Sequence, residues 1–335
     1  MIIGIDVGGA NTKISSADGS IAESYYLPLW KNKDIKSLLE GGLRPKYTGA
    51  DAVGVVMTGE LADCFASKGN GVRFIADAIL SVFDDVHFLD ANGTFVSDVS
   101  EAIASTNWVA SANLISTEFP DALFMDIGST TSDIIPIMDG VPMAAKTDFE
   151  RLKRNELVYS GILRTNVATI LDRVMLDVPC RISSELFAIT ADVYSVLGEI
   201  SEDDYTCETA DGAGKDAESA MRRLARVVCC DMKEISPQEL RQIAKQIKEH
   251  QVQSLVDAVL NVCGRFDCGV VIAGGLGEFL AEDVARRVGL KYISLSNRYG
   301  KKVSSIFPAY AVARLLETSR RVNPSTCHDL NMGKS

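Results

Sequence analysis

Three glycine-containing turns carry the residues whose types and spacing could do chemistry. Each follows an apolar stretch: Asp6–Gly9, Asp126–Ser129 and Gly274–Gly277. Glycine lets a backbone come close to a ligand, and such turns can present N–H groups to an anion. The sequence therefore predicts binding of phosphate or another small anion at these turns.

Polar and small residues extend the first two turns. The residues predicted to bind phosphate are Gly8, Gly9, Ala10, Asn11, Thr12 and Lys13, followed by Gly128, Ser129, Thr130 and Thr131. Their spacing matches neither the dinucleotide pattern GxGxxG nor the loop GxxxxGK[ST]. Two alternatives stay open: Gly8 and Gly9 serve only a tight hairpin, and Gly274, Gly275, Leu276 and Gly277 form only a tight turn before a helix.

Composition restricts the class of protein. The 335 residues are 47% hydrophobic and 24% charged, which is typical of a globular protein. With 45 acidic and 34 basic residues the net charge is −11, which argues against nucleic acid or an anionic membrane as partner. No apolar run approaches the roughly 20 residues of a membrane span and no leader pattern is present, so we expect a cytoplasmic protein. The eight cysteines form no CxxC pair, so we expect mostly buried, reduced thiols and no zinc site.

Strands and helices must position the turns. The apolar run that begins at Ile2 and ends before Asp6 predicts the first strand, and further runs predict strands at 14–16, 21–27, 52–57, 86–89, 122–127, 134–138, 268–273 and 290–295. Helical spacing predicts helices at about 72–83, 96–115, 183–197, 216–232, 237–263 and 308–318. The sequence Ser236-Pro237-Gln238-Glu239 combines a capping box with proline at the first helical position. The first three strands predict an antiparallel meander, and the later alternation predicts a mixed sheet.

The strand, aspartate and glycine turn at Asp6 recur at Asp126. Such repetition suggests two related domains that face one cleft. The first domain is predicted to cover 1–121 with a returning helix at 306–320, and the second 122–305 with a helical insertion. Residues 321–335 are predicted to form a mobile tail.

The three turns, in this order, resemble the phosphate 1, phosphate 2 and adenosine motifs of the actin, sugar-kinase and Hsp70 superfamily. Residues 8–13, Met57–Leu61 and 126–133 are similar to the hydantoinase and oxoprolinase branch. The resemblance implies an α/β fold of two RNase H-like domains with mixed sheets around an interdomain cleft.

A narrower resemblance spans nearly the whole chain. The segments at 9–13, 156–161, 209–212 and 223–226 resemble the archaeal methanofuran-biosynthesis synthases and their relatives beside tetrahydromethanopterin-linked C1 pathways. That family implies a transferase that joins the phenol oxygen of γ-glutamyltyramine to an aminomethylfuran diphosphate. An ether forms and diphosphate leaves.

Such a reaction requires charge neutralisation at the diphosphate. The resemblance implies that Lys13, the turn N–H groups and a Mg²⁺ ion held by Asp6 and Asp126 supply it. ATP binding is left open and is not required in the preferred interpretation. The partners implied are small molecules that carry diphosphate and carboxylate groups, and a homo-oligomer stays open.

The phenol must also lose a proton, and Glu60 and Asp133 are the candidate bases. The alternative for Glu60 is that it caps the helix after its strand. Tyr159 and Arg164 are the predicted substrate-binding residues, for a ring and for a glutamyl carboxylate. The basic residues between Lys146 and Arg164 form either a pocket for an acidic substrate or a solvated charged face.

Two further functions compete with the transferase. An ATP-dependent small-molecule kinase or a hydantoinase/oxoprolinase-like enzyme would use the adenosine-like turn Gly274–Gly277. An ATP-binding regulator is the other alternative, since the superfamily also contains such switches.

Overall fold

The computed structural model describes residues 1–31, 37, 47 and 49–322. None of the helices in these ranges combines the length and the apolar composition that a bilayer crossing needs. The predicted tail begins inside a helix, because the last described helix continues to Val322. The remainder of the predicted tail, 323–335, lies outside the described residues.

Strands and helices alternate along most of the chain. The described strands are β1 (Ile2–Val7), β2 (Asn11–Ser16), β3 (Ala22–Tyr26), β4 (Ala52–Met57), β5 (Val86–Leu89), β6 (Phe95–Val96), β7 (Ala122–Ile127), β8 (Ser132–Met138), β9 (Val141–Pro142), β10 (Leu157–Val158), β11 (Arg173–Met175), β12 (Pro179–Arg181), β13 (Val270–Gly274) and β14 (Lys291–Ser294). The described α-helices are α1 (Lys68–Leu80), α2 (Asn107–Ser116), α3 (Asp148–Lys153), α4 (Thr190–Leu197), α5 (Ala217–Val227), α6 (Pro237–Cys263), α7 (Glu278–Val288), α8 (Leu295–Tyr299), α9 (Lys301–Ser305) and α10 (Phe307–Val322).

The chain divides into two compact units. The first comprises Met1–Pro120, Ile137–Pro142 and the chain from Leu295 onward. The second comprises Asp121–Pro136 and Met143–Ser294. Helices α8 to α10 therefore belong to the first unit, although they follow the second in sequence.

The first unit contains a sheet with the strand order β3-β2-β1-β4-β5-β6. Strands β1, β2 and β3 pair antiparallel, which confirms the predicted meander. Strands β4 and β5 run parallel to β1, so the sheet is mixed, as predicted. Helix α10 lies directly on β1: a Cβ at Gly4 would stand 1.9 Å from the carbonyl oxygen of Ala309. Only glycine permits this approach.

The second unit contains a sheet with the order β10-β8-β7-β13-β14, and β9 pairs with β8. Strand β13 runs parallel to both β7 and β14. Parallel neighbours end at the same edge of a sheet, so the turns after β7 and β13 lie side by side. Helix α6 packs its apolar stripe into the core of this unit, from Leu240 to Val262.

Two predicted helices are wrong in part. Within 96–115, the chain forms β6, a 3₁₀ turn at Glu101–Ile103 and only then α2. Ser105 takes a left-handed φ of 54°, which interrupts the helix predicted from the apolar spacing. Within 183–197 only α4 is helical, because the preceding backbone pairs with a distant segment: the N–H of Val167 donates to Ala188 O at 3.1 Å.

The expectation about the cysteines also needs correction. Among the described thiols, which are all free, Cys207 and Cys268 are buried, four are half-buried and Cys229 is exposed. The thiols are therefore not mostly buried.

Candidate functional site

The first glycine turn joins β1 to β2. The N–H of Gly8 donates to Asn11 O at 2.9 Å, and a Cβ at Gly8 would stand 2.8 Å from the same oxygen. Leu27 N and Leu29 N donate to Ala10 O and Gly9 O, both at 2.9 Å, which fixes the turn to the chain after β3. The amide of Gly8 is thus committed inside the turn, and an anion must use the turn's other donors. The hairpin and the anion-binding interpretations of this glycine pair are compatible.

Asp6 and Lys13 face each other across this turn. They are directly paired in the register of β1 and β2. Asp6 is only 2% exposed, and the ammonium of Lys13 lies 3.8 Å from its Oδ2. The neighbouring Thr12 hydroxyl is fully buried and has no hydrogen-bond partner among the described residues. A carboxylate, a cation and a hydroxyl therefore lie at one end of β1.

Glu60 follows the parallel neighbour of β1. The N–H groups of Thr58 and Gly59 both donate to Val7 O, at 2.9 and 3.0 Å, so the turn after β4 lies against the first turn. Glu60 is 1% exposed, and its Oε1 accepts from the Ser105 hydroxyl at 2.6 Å. It does not cap the following helix: the N-cap of α1 is Ser67. The helix-cap alternative is therefore wrong.

The second and third turns meet in the second unit. Gly275 has a left-handed φ of 86°, and a Cβ there would stand 2.3 Å from Oδ1 of Asp126. The N–H of Gly277 donates to Ile127 O at 2.8 Å. Glycine at 275 is required both by its φ and by the approach to Asp126. The structure thus brings together two turns that are about 150 residues apart in sequence.

The segment after β10 lines the second turn. The N–H of Ile162 donates to Gly128 O, and those of Leu163 and Arg164 donate to Ser129 O, each at 3.0 Å. The Arg164 guanidinium reaches the Thr130 hydroxyl at 3.4 Å. Arg164 therefore lies at the second turn, and its role in binding a glutamyl carboxylate stays a prediction.

Tyr159 precedes this segment and, unlike Ile162 and Leu163, is exposed to solvent. Its side chain is 69% exposed and lies just after β10. An exposed aromatic ring is available to a ligand, but the described contacts fix no orientation for it. Its role in stacking stays a prediction.

Asp133 is engaged in a buried ion pair that the sequence did not indicate. Its Oδ1 accepts from Nη2 of Arg151, and both residues are buried. Arg151 also contacts Asp148 Oδ1 at 3.2 Å and Glu156 O at 3.3 Å. A guanidinium partner stabilises the charged form of a carboxylate, which opposes a role as base. Arg151 itself belongs neither to a solvated basic face nor to an exposed basic pocket.

Two of the segments that suggested the family, 209–212 and 223–226, are joined by hydrogen bonds between charged side chains. Asp211 accepts from Arg223 Nη1 at 3.1 Å and from Arg226 Nη1 at 2.8 Å. Arg223 also donates to buried Asp192 through Nε at 2.8 Å, and the Tyr205 hydroxyl donates to the same carboxylate at 2.9 Å. Burial raises the pKa of Tyr205, and Asp192 adds to the shift, so the phenol stays a donor. These arginines connect Asp192 and Asp211 within the second unit.

Cys207 lies beside the lining segment, and its thiol contacts Leu163 O at 3.9 Å. Burial raises the pKa of this thiol to about 11. The thiol therefore stays neutral near pH 7 and is a poor nucleophile. Its contact with Leu163 places it against the lining segment.

Magnesium fits the donor set without a complete protein cage. In the part of the chain that the structure describes, no group of three His, Cys, Asp or Glu side chains could hold a metal. Mg²⁺ commonly uses one or two carboxylates together with water and substrate phosphates. Asp6 and Asp126, each at the end of a strand and nearly buried, are hard oxygen donors of that kind. Their role as ligands stays a prediction.

Comparisons with known proteins agree with these features. A model of the hydantoinase/oxoprolinase family matches residues 51–319. An acetone carboxylase structure without nucleotide aligns with a TM-score of 0.53, over 93% of this chain and 70% of that one, at 11% identity. The shared architecture confirms the predicted α/β fold class with mixed sheets of the actin, sugar-kinase and Hsp70 type.

Two relatives are closer in sequence. A protein from Methanocaldococcus jannaschii, named (4-{4-[2-(gamma-L-glutamylamino)ethyl]phenoxymethyl}furan-2-yl)methanamine synthase, is 39% identical over 327 residues, which cover 95% of this chain and 98% of that protein. A synthase of the same name from Methanococcus vannielii is 37% identical over 212 residues, which cover 61% of this chain and 96% of that protein. The chain therefore belongs to the hydantoinase/oxoprolinase family and, within it, to the group of these synthases. The predicted relationship is confirmed.

Proposed function

We propose that this protein joins the phenol oxygen of γ-glutamyltyramine to an aminomethylfuran diphosphate and releases diphosphate. The supporting observation is the 39% identity that extends over 95% of the chain to a synthase whose name describes a phenoxymethylfuran. That name contains the aryl ether which this reaction would form. The product is a precursor of a C1-carrier coenzyme, so we also propose a cytoplasmic location.

The bond changes follow from the substrates. The bond between the furanylmethyl carbon and the diphosphate oxygen breaks, and its electron pair leaves with diphosphate. The phenol oxygen forms the new C–O bond, and the phenol proton goes to a base. The furan ring stabilises positive charge at the carbon, so the protein must chiefly neutralise the leaving group.

Each unit contains groups suited to an anion. In the first unit, the Lys13 ammonium lies at the glycine turn beside Asp6. In the second unit, Arg164 contacts the turn at Thr130. Magnesium bound at Asp6 of the first unit or at Asp126 of the second would add charge neutralisation.

Glu60 is the base we favour. A phenol has a reference pKa of about 10, so proton removal must accompany bond formation near neutral pH. Glu60 is buried and contacts a neutral hydroxyl donor, whereas Asp133 is paired with a guanidinium. A guanidinium partner makes protonation of a carboxylate less favourable, so Asp133 is the weaker candidate.

The reaction is tested directly with the purified protein, Mg²⁺ and the two substrates. Mass spectrometry should detect the ether product, and a coupled assay should detect one diphosphate per ether, without ATP. If turnover required ATP hydrolysis, the proposal would give way to an ATP-dependent enzyme.

The close approach of Gly275 to Asp126 supports that second candidate, an ATP-dependent enzyme, because an adenosine-like turn would lie at a phosphate turn.

A further inference from the structure

Gln251 lies in the middle of α6 and has no place in the features that the sequence singled out. It is 1% exposed. Its Nε2 donates to Gly161 O at 3.0 Å and to the Ser160 hydroxyl at 2.9 Å, and its Oε1 accepts from the Tyr194 hydroxyl at 2.6 Å. Both amide hydrogens and the amide oxygen are thus used, and the side chain has one defined orientation.

Gly161, which Gln251 holds, is fixed by further hydrogen bonds. Its carbonyl oxygen also accepts from the Thr190 hydroxyl at 2.9 Å, and its N–H donates to the Thr165 hydroxyl at 2.9 Å. A Cβ at Gly161 would stand 2.5 Å from the backbone nitrogen of Thr130. The backbone of Gly161 therefore lies directly against the second glycine turn, and any displacement of it displaces that turn.

The residues after Gly161 continue this contact. The N–H groups of Ile162, Leu163 and Arg164 donate to carbonyl oxygens of Gly128 and Ser129. This backbone ladder begins at Ile162, directly after Gly161, so the two Nε2 hydrogen bonds of Gln251 end at the residues that immediately precede the ladder. Buried networks whose members are all satisfied hold neighbouring groups in one arrangement.

We propose that Gln251 is a positioning residue for the second turn. Through Ser160 and Gly161 it holds the Thr130 backbone and the Arg164 guanidinium where they bind the magnesium diphosphate group of the substrate. The inference rests on the proposed function, because it assumes that this turn receives diphosphate. Misplacing such groups by about 1 Å can cost about 100-fold in rate.

The test compares Gln251→Met with the matched control Tyr194→Phe. The first change removes the donors to the Ser160 hydroxyl and to Gly161 O, while the second removes only the donor to Oε1 and leaves those two bonds in place. Binding of magnesium diphosphate is measured by calorimetry well below the unfolding temperature of both variants, together with kcat and KM. We expect Gln251→Met to weaken binding about tenfold and to lower kcat/KM about 100-fold. Tyr194→Phe should stay within about twofold of the unsubstituted protein.

A purely structural role predicts another pattern. In that case both variants would lose thermal stability yet bind magnesium diphosphate like the unsubstituted protein, and the inference would be wrong. If Gln251→Met does not fold, Thr190→Val removes another donor to Gly161 O, at 2.9 Å, and should weaken binding in the same direction; unchanged binding would overturn the inference. Failure of the proposed function is distinguishable, since the unsubstituted protein would then form no ether at all.

Discussion

Glu60 and Asp133 carry the same charge but have opposite surroundings. Asp133 is paired with buried Arg151, whereas Glu60 accepts a hydrogen bond from the neutral Ser105. A base must bind a proton during the reaction, and a guanidinium contact makes that costly. The contact with Arg151 therefore makes Asp133 the less suitable of the two candidate bases, and we propose Glu60 as the base.

The Glu60→Gln variant should lose activity and remain folded. The glutamine oxygen can still accept from Ser105, but the amide cannot take the phenol proton, so we expect kcat to fall about 10²- to 10⁴-fold. The measurement is steady-state ether formation, with thermal unfolding as the check on folding. Glu101→Gln, a change at an exposed carboxylate of the same unit, is the control and should leave kcat unchanged. Full activity of Glu60→Gln would remove Glu60 from the reaction.

The buried ion pair between Asp133 and Arg151 should contribute to the free energy of unfolding. Arg151→Met leaves the buried Asp133 without its cationic partner, and breaking a buried pair from one side costs about 3–5 kcal/mol. Urea unfolding of this variant, of Asp133→Asn and of the double variant forms a thermodynamic cycle. We expect the double variant to lose less stability than the sum of the two single variants, because residues in contact couple. Strictly additive losses would show that the two side chains do not stabilise each other.

At the scale of elements, helix α6 begins at a capping box that the sequence predicts and carries Gln251 to the candidate site. The Ser236 hydroxyl accepts from Glu239 N at 3.3 Å, and the Glu239 carboxylate accepts from Ser236 N at 2.8 Å, which completes the predicted capping box. Four turns later the same helix presents Gln251 to the backbone beside the second turn. The position of Gln251 thus depends on where this helix begins.

Ser236→Ala should destabilise the protein by about 1 kcal/mol through the lost helix cap. Hydrogen bonds from Ser236 lower the pKa of Glu239 below its usual value. A lowered folded-state pKa stabilises the fold above the ordinary glutamate pKa, and this contribution is lost as pH falls through the lowered value. Chemical unfolding at pH 7 and at pH 3 should therefore show a larger deficit of the variant at pH 7. Ser254→Ala, at an exposed position inside the same helix, should show no such pH dependence.

Elements were predictable where their signals are local. Strands β1, β4 and β7 read as apolar runs that end in a polar turn, and α6 has both a cap and a periodic stripe, so each was predicted within a few residues. Two features were not predicted. The left-handed φ of Ser105 interrupts a predicted helix, and Arg151 forms an ion pair with Asp133, which lies on another element. Such features depend on tertiary contacts, which neither spacing nor propensity records. The glycine turns of the candidate site were therefore predictable, whereas the partners of its carboxylates were not.

At the scale of the whole molecule, the two units repeat one local design. The first turn contains a hydrogen bond from Gly8 N to Asn11 O and the second one from Gly128 N to Thr131 O, both at 2.9 Å. In each unit an aspartate is the penultimate residue of the preceding strand, at Asp6 and at Asp126. Equal geometry in both turns supports the repeat that the sequence indicated. Each unit thus supplies its own turn, carboxylate and cationic side chain.

A ligand that binds only the folded chain stabilises it by mass action, by about 2.7 kcal/mol at 100 times its Kd. If the substrate's diphosphate is the natural ligand of these turns, magnesium diphosphate should raise the unfolding temperature more than magnesium ATP at equal concentration. Lys13→Met and Asp126→Asn, one change in each unit, should reduce that shift, because each removes a charge that the proposed anion or metal contacts. Lys245→Met, at an exposed lysine of α6, is the control for loss of charge alone and should keep the full shift. A larger stabilisation by ATP, lost in the same two variants, would instead identify the glycine turns as a nucleotide site.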